Sequence, residues 1–169
     1  MIFTETKLQG AYIVEPDPIH DNRGFFARVI CRNEFDHVDL TTDFVQANIT
    51  FSPQKGTLRG MHYQIAPHKE VKLVRCTQGG IYDVIIDLRP QSPTYMEWLA
   101  TEITAENRKM VYIPGGFAHG YQTIADNTEV FYLVAQFYAP EYERGMRWND
   151  PAFQIEWPDG PELVLSDKD

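Results

Sequence analysis

Short runs of alternating or uniformly apolar residues, each closed by turn residues, recur along this chain from residue 24 to residue 137. Residues 44–51 (FVQANITF) set Val45, Ala47 and Ile49 against Gln46, Asn48 and Thr50, the period of two expected of a half-buried strand. Residues 71–76 (VKLVRC) also alternate, with Val71, Leu73 and Arg75 opposing Lys72, Val74 and Cys76. Apolar groups occupy both sides of that run, so the pattern leaves open which way Lys72 points. Residues 24–31 (GFFARVIC), 81–88 (IYDVIIDL), 96–103, 110–113, 121–124 and 129–137 continue the series. Turns are predicted at His20-Asp21-Asn22-Arg23, Gly79-Gly80, Pro114-Gly115-Gly116 and Asp126-Asn127. Helical periodicity is confined to residues 32–36 and one turn at 105–108. About ten strands with so little helix predict an all-β jelly-roll barrel with a few short helices, not a parallel βαβ fold. Such a barrel has an interior wide enough for a ligand.

The 169 residues suit one domain spanning 1–169. A formal charge of −9 argues against a generic nucleic-acid or anionic-membrane binder, either of which needs a basic surface. The charge is uneven: residues 55–75 carry Lys55, Arg59, Lys69, Lys72 and Arg75 against Glu70 alone. No apolar run is long enough for a membrane span, and MIFTETKLQG lacks the pattern of a secretory signal, so a cytoplasmic location is expected. Cys31 and Cys76 are isolated and read as buried small hydrophobes.

The densest polar cluster is Gly56-Thr57-Leu58-Arg59-Gly60-Met61-His62-Tyr63-Gln64. On a regular strand Arg59 and His62 have opposite parity and share a cavity only if Gly60 marks a bulge or bend. His119, in Ile-Pro-Gly-Gly-Phe-Ala-His-Gly-Tyr, is a second histidine beside glycine, at a predicted strand start. Tyr132 and Tyr138 share parity in one aromatic stretch. No H-x-H pair occurs, so a mononuclear histidine metal site is not expected. The G-x-S-x-G elbow and the G-x-G-x-x-G and G-x-x-x-x-G-K-[ST] nucleotide loops are also missing.

Read in order, Asp21-Asn22-Arg23-Gly24-Phe25-Phe26, Gln46-Ala47-Asn48, the 56–64 cluster, Lys72-Leu73-Val74-Arg75 and Ser92-Pro93-Thr94-Tyr95 form a recognisable set. Ile113-Pro114-Gly115-Gly116-Phe117-Ala118-His119-Gly120, Glu143-Arg144-Gly145, Trp148-Asn149-Asp150, Trp157-Pro158 and Leu165-Ser166-Asp167-Lys168-Asp169 complete it. The set resembles the dTDP-4-dehydrorhamnose 3,5-epimerases over nearly the whole chain. The resemblance implies a cupin-type jelly roll, a homodimer, no metal or organic cofactor, and a nucleotide-diphosphate 4-keto-6-deoxysugar as substrate. It further implies His62 as general base and Asp169 as the carboxylate orienting it; because a terminal residue frays easily, Asp83 or a nearby carboxylate is the substitute. Lys72 would stand at the ketone oxygen and Tyr132 would be the acid. Arg23 (from the neighbouring subunit), Gln46, Asn48, Arg59, His119, Tyr138, Glu143 and Lys168 would bind the substrate. Arg28 stands where these epimerases usually carry a glutamate against the nucleotide, and Leu133 where many have lysine. The base, and the choice between inversion at C3 and C5 or at C3 only, therefore stay open, as does a non-catalytic sugar-nucleotide-binding jelly roll.

Overall fold

A computed structural model describes residues 1–160, 162–167 and 169. Its strands, in chain order, are β1 (Ile2–Glu5), β2 (Tyr12–Glu15), β3 (Ile19–Asp21), β4 (Gly24–Phe26), β5 (Gln46–Ser52), β6 (Leu58–Gln64), β7 (Lys72–Gln78), β8 (Gly80–Asp87), β9 (Trp98–Thr104), β10 (Met110–Ile113), β11 (Phe117–Thr123), β12 (Thr128–Val134) and β13 (Glu143–Gly145). Among the described residues, one short helix, α1 (Arg32–Asp36), and a single 3-10 turn at Pro140–Tyr142 accompany them. Two antiparallel sheets, ordered β1-β2-β10-β7-β12-β5 and β13-β6-β11-β8-β9, make the jelly-roll barrel, and β3 and β4 form a separate hairpin. Among the described residues no helix is long and apolar enough to cross a membrane.

The alternation of each strand fixes what faces the interior. Val74 and Cys76 of β7, Ile81 and Ile85 of β8, Phe117 and Tyr121 of β11 and Val130 of β12 join one buried cluster drawn from both sheets. The opposite parity packs elsewhere. Leu73 meets Val14, Phe35 and Tyr112 beneath α1, and Val84, Ile86 and Ala118 meet Met61 and Phe153 outside the five-stranded sheet. Lys72 has the parity of Val74 and Cys76, which settles its direction: it points into the barrel. Cys76 is fully buried, and burial pushes its thiol up to about 11, so it behaves as the small hydrophobe expected; both cysteines are free.

Three boundaries differ from expectation for local reasons. The strand expected over 24–31 stops at Phe26; residues 27–31 form an irregular stretch leading into α1, whose Glu34 and Phe35 amides donate to the Cys31 carbonyl. Arg28 in the intervening stretch is paired with Glu34 at 3.1 Å. The strand expected over 129–137 stops at Val134, where side chains replace the ladder: the Tyr138 amide donates to Gln46 Oε1 at 2.8 Å and the Ala139 amide to Gln64 Oε1 at 2.7 Å. The strand expected over 121–124 begins four residues earlier, at Phe117, so His119 lies inside β11 rather than at its start.

Candidate active site

Gly60 is the local key to the site. On β11 the step from His119 to Tyr121 spans two residues, but their partners on β6, His62 and Arg59, are three apart. The additional residue is a bulge, which turns both Arg59 and His62 inward despite their opposite parity. Only glycine fits there. Gly60 has φ +124°, and a Cβ on it would lie 2.5 Å from Gly120 Cα and 2.8 Å from the His119 carbonyl oxygen.

A cavity of about 270 Å³ opens at this bulge. Arg59, His62 and His119 enter it from the five-stranded sheet, and Lys72 and Tyr132 from the six-stranded sheet. Asp169 closes it from the C-terminal segment. His62 Nε2 is 2.9 Å from Asp169 Oδ1, and the Asp169 side chain is only 5% exposed. That carboxylate is itself anchored, accepting from the Gly60 amide at 3.1 Å and from the Ser166 hydroxyl at 2.6 Å. Asp83 is engaged elsewhere: its Oδ2 is 2.6 Å from His119 Nε2, and its side chain is almost wholly buried. Each histidine therefore faces its own carboxylate at close range, and the hydrogen bond to Asp83 fixes the His119 ring.

An adjoining cavity of about 370 Å³ shares His62, Lys72 and Tyr132 with the first and adds Gln46, Asn48, Gln64, Tyr138 and Glu143. Gln46 and Asn48 have the inward parity of β5. Tyr138 donates its hydroxyl to Glu143 Oε2 at 2.7 Å, and the residue is 58% exposed. Burial raises the Tyr132 hydroxyl above the ordinary tyrosine value; the charge of Glu70 adds to this and Arg59 opposes it. Burial likewise raises Tyr121, whose hydroxyl shares a 2.7 Å hydrogen bond with Thr50.

Arg23 is not among the residues lining either cavity. It sits at the β3–β4 turn with its side chain 85% exposed, paired to Asp21 at 2.6 Å. Lys168 lies outside the described residues. Thr50, Tyr121 and Ser166 line the first cavity and Glu70 the second, and the sequence assigned none of the four to the site. Parity could have found two of them: Thr50 continues the Gln46–Asn48 face, and Tyr121 lies two residues beyond His119. Among the described residues no group of three or more His, Cys, Asp or Glu side chains is placed to hold a metal ion.

Comparison with known proteins matches this arrangement to one family. The family profile described as dTDP-4-dehydrorhamnose 3,5-epimerase aligns with residues 5–169. A relative of that description from Shigella flexneri is 42% identical over 166 residues, covering 98% of this chain and 91% of its own. The crystal structure of the Bacillus anthracis dTDP-4-dehydrorhamnose 3,5-epimerase with TDP and PPi bound superposes with a TM-score of 0.94 at 38% identity, covering 99% of this chain and 95% of that one. The Legionella pneumophila dTDP-6-deoxy-D-glucose-3,5-epimerase in complex with dTDP-4-keto-L-rhamnose gives a TM-score of 0.92 at 36% identity, covering 99% and 88%. These matches extend over essentially all of the sheets and both cavities, and the chain belongs to the dTDP-4-dehydrorhamnose 3,5-epimerase family.

Proposed function

We propose that the chain inverts the carbons flanking the ketone of a nucleotide-linked 4-keto-6-deoxyhexose, converting dTDP-4-dehydro-6-deoxy-D-glucose to dTDP-4-dehydro-L-rhamnose. The observation that carries the reading is the opposition of His62, on the five-stranded sheet, to Tyr132, on the six-stranded sheet, across one cavity. Inversion needs a base on one face of the sugar and an acid on the other, and the two sheets supply one each. His62, oriented by Asp169, takes the proton α to the ketone. The charge that develops on the C4 oxygen is met by Lys72, an inward ammonium with a side chain only 12% exposed. Tyr132, kept protonated by its burial, returns a proton to the opposite face.

The nucleotide end belongs to the adjoining cavity. Gln46 and Asn48 of that cavity, joined by Arg59 from the first, hold the diphosphate and its sugar. The ring of the exposed Tyr138 stacks on the base, which Glu143 adjoins. Arg23 reaches the cavity of a second copy. The exposed apolar side chains of the outer β5 face, Ile49 at 67% and Phe51 at 51%, and of the hairpin, Ile19 at 70% and Phe26 at 66%, support a homodimer. Light scattering should give twice the chain mass, and an Ile49→Lys variant should give the monomer mass. A monomeric wild type contradicts the dimer.

The reaction is tested by an NMR time course against dTDP-, CDP- and GDP-linked 4-keto-6-deoxyhexoses. Epimer should form with at least one of them and not with His62→Ala. Tight binding without epimer would favour a sugar-nucleotide-binding jelly roll instead.

A further inference from the structure

We infer that Glu70 is a positioning residue for this reaction: its carboxylate fixes the Lys72 ammonium at the junction of the two cavities and holds negative charge beside Tyr132. The inference rests on the epimerase reading above.

Glu70 is the single acidic residue in the basic segment 55–75, and it lies two residues before the start of β7. Its side chain is 14% exposed, and its Oε1 lies 3.1 Å from Lys72 Nζ. The carboxylate is held in turn by Gln64, which donates to Oε2 at 3.4 Å. Gln64 is buried and cannot drift, because its amide also donates to the His68 carbonyl at 3.1 Å and accepts from the Ala139 amide at 2.7 Å. A chain of contacts therefore runs from β6 through Glu70 to the lysine head.

The physical need is plain. A lysine ammonium rides on a flexible four-carbon stem with many rotamers, so untethered it would sample many positions in a cavity of this size. A cation stabilises an enolate best when it is already in place as the charge forms. Truncating one member of a shielded pair also leaves the other uncompensated.

The second effect reaches Tyr132. Lys72, Arg59, His62, His119 and Tyr121 face the same space, with Asp169, Glu143 and Glu70 as its anionic side chains. Of these anions, Glu70 is the one that adds to burial in raising the Tyr132 hydroxyl. An acid that must give up its proton within the catalytic cycle is useful only while it still holds it.

Glu70→Gln keeps the shape and removes the charge, and Glu70→Asp keeps the charge. With kcat and KM measured across pH on a nucleotide-linked 4-keto-6-deoxyhexose, Glu70→Gln should lower kcat by about 10- to 100-fold with KM little changed. Its alkaline limb in kcat should move to lower pH, and Glu70→Asp should recover most of kcat. A Glu70→Gln enzyme with wild-type kcat and an unmoved limb overturns the inference, as does a rise in KM alone. So does a loss explained by a lowered melting temperature with the limb unmoved. Wild type run alongside separates the two levels: an inactive wild type overturns the epimerase reading itself, whereas an active wild type with an indifferent Glu70→Gln overturns only the role of Glu70.

Discussion

His62 and His119 are register partners on β6 and β11, and each is held by a different carboxylate, Asp169 at 2.9 Å and Asp83 at 2.6 Å. Two similar pairs side by side must be told apart by function. If His62 is the base, loss of Asp169 costs chemistry more than binding. Asp169→Asn is expected to lower kcat by ~10²-fold or more with KM nearly unchanged, because the amide leaves the imidazole in the wrong tautomer and its cation unsupported. Steady-state kinetics on the purified variant reads this directly, and a KM effect alone would contradict it.

Tyr132 delivers the second proton, so its removal should uncouple exchange from inversion. Tyr132→Phe is expected to retain solvent exchange at the carbon attacked by His62 while forming the epimer at least ~10²-fold more slowly. Burial, reinforced by Glu70, raises the hydroxyl above its usual value of 10.0, so half-loss of wild-type activity from ionisation of this group should come only above that pH. A tyrosine-dependent limb near neutral pH, absent in Tyr132→Phe, would contradict the assignment.

Gly60 is predicted to be intolerant of even one methyl group. Gly60→Ala must place a Cβ against the Gly120 backbone at a φ of +124°. The expected cost is at least about 1–3 kcal/mol in urea unfolding, from backbone strain alone. Arg59 and His62 should also lose their common direction, so the surviving folded enzyme should be nearly inactive. A stable, active Gly60→Ala protein would show that the bulge is not needed.

Asp87 predicts the acid side of the stability curve. Burial alone would raise its carboxyl, but hydrogen bonds from Arg89, Ser92 and Thr94 outweigh this and hold it well below the ordinary carboxylate value of 3.8. A carboxyl depressed in the folded state contributes stability that is full above the unfolded value and is lost as pH falls below it. Unfolding followed by circular dichroism should therefore show wild type losing stability below about pH 4, with Asp87→Asn less stable at pH 7 and less pH-dependent in that range.

The period of the alternating strands was legible, but not always which face is buried: in β5 the polar Gln46, Asn48 and Thr50 face in, towards the cavities, and the apolar Ala47, Ile49 and Phe51 face out. β1 and β2 were not legible, since each has four residues and their place is fixed by pairing with each other and with β10. Lys72 could not be oriented from β7 alone, because both faces of that strand are apolar: one meets the interior and the other meets α1. His62, His119 and Tyr132 stood out through their glycine and aromatic surroundings. Glu70 did not, because its meaning lies in an ion pair two residues along the chain on a loop, where no periodicity applies.

The most direct test is solvent deuterium incorporation at C3 and C5 of dTDP-4-dehydro-6-deoxy-D-glucose, followed by NMR for wild type and His62→Ala. Wild type should incorporate deuterium at C3, and at C5 where both centres are inverted, while His62→Ala incorporates it at neither. No incorporation at either carbon by wild type, or incorporation by wild type and His62→Ala alike, would contradict the account.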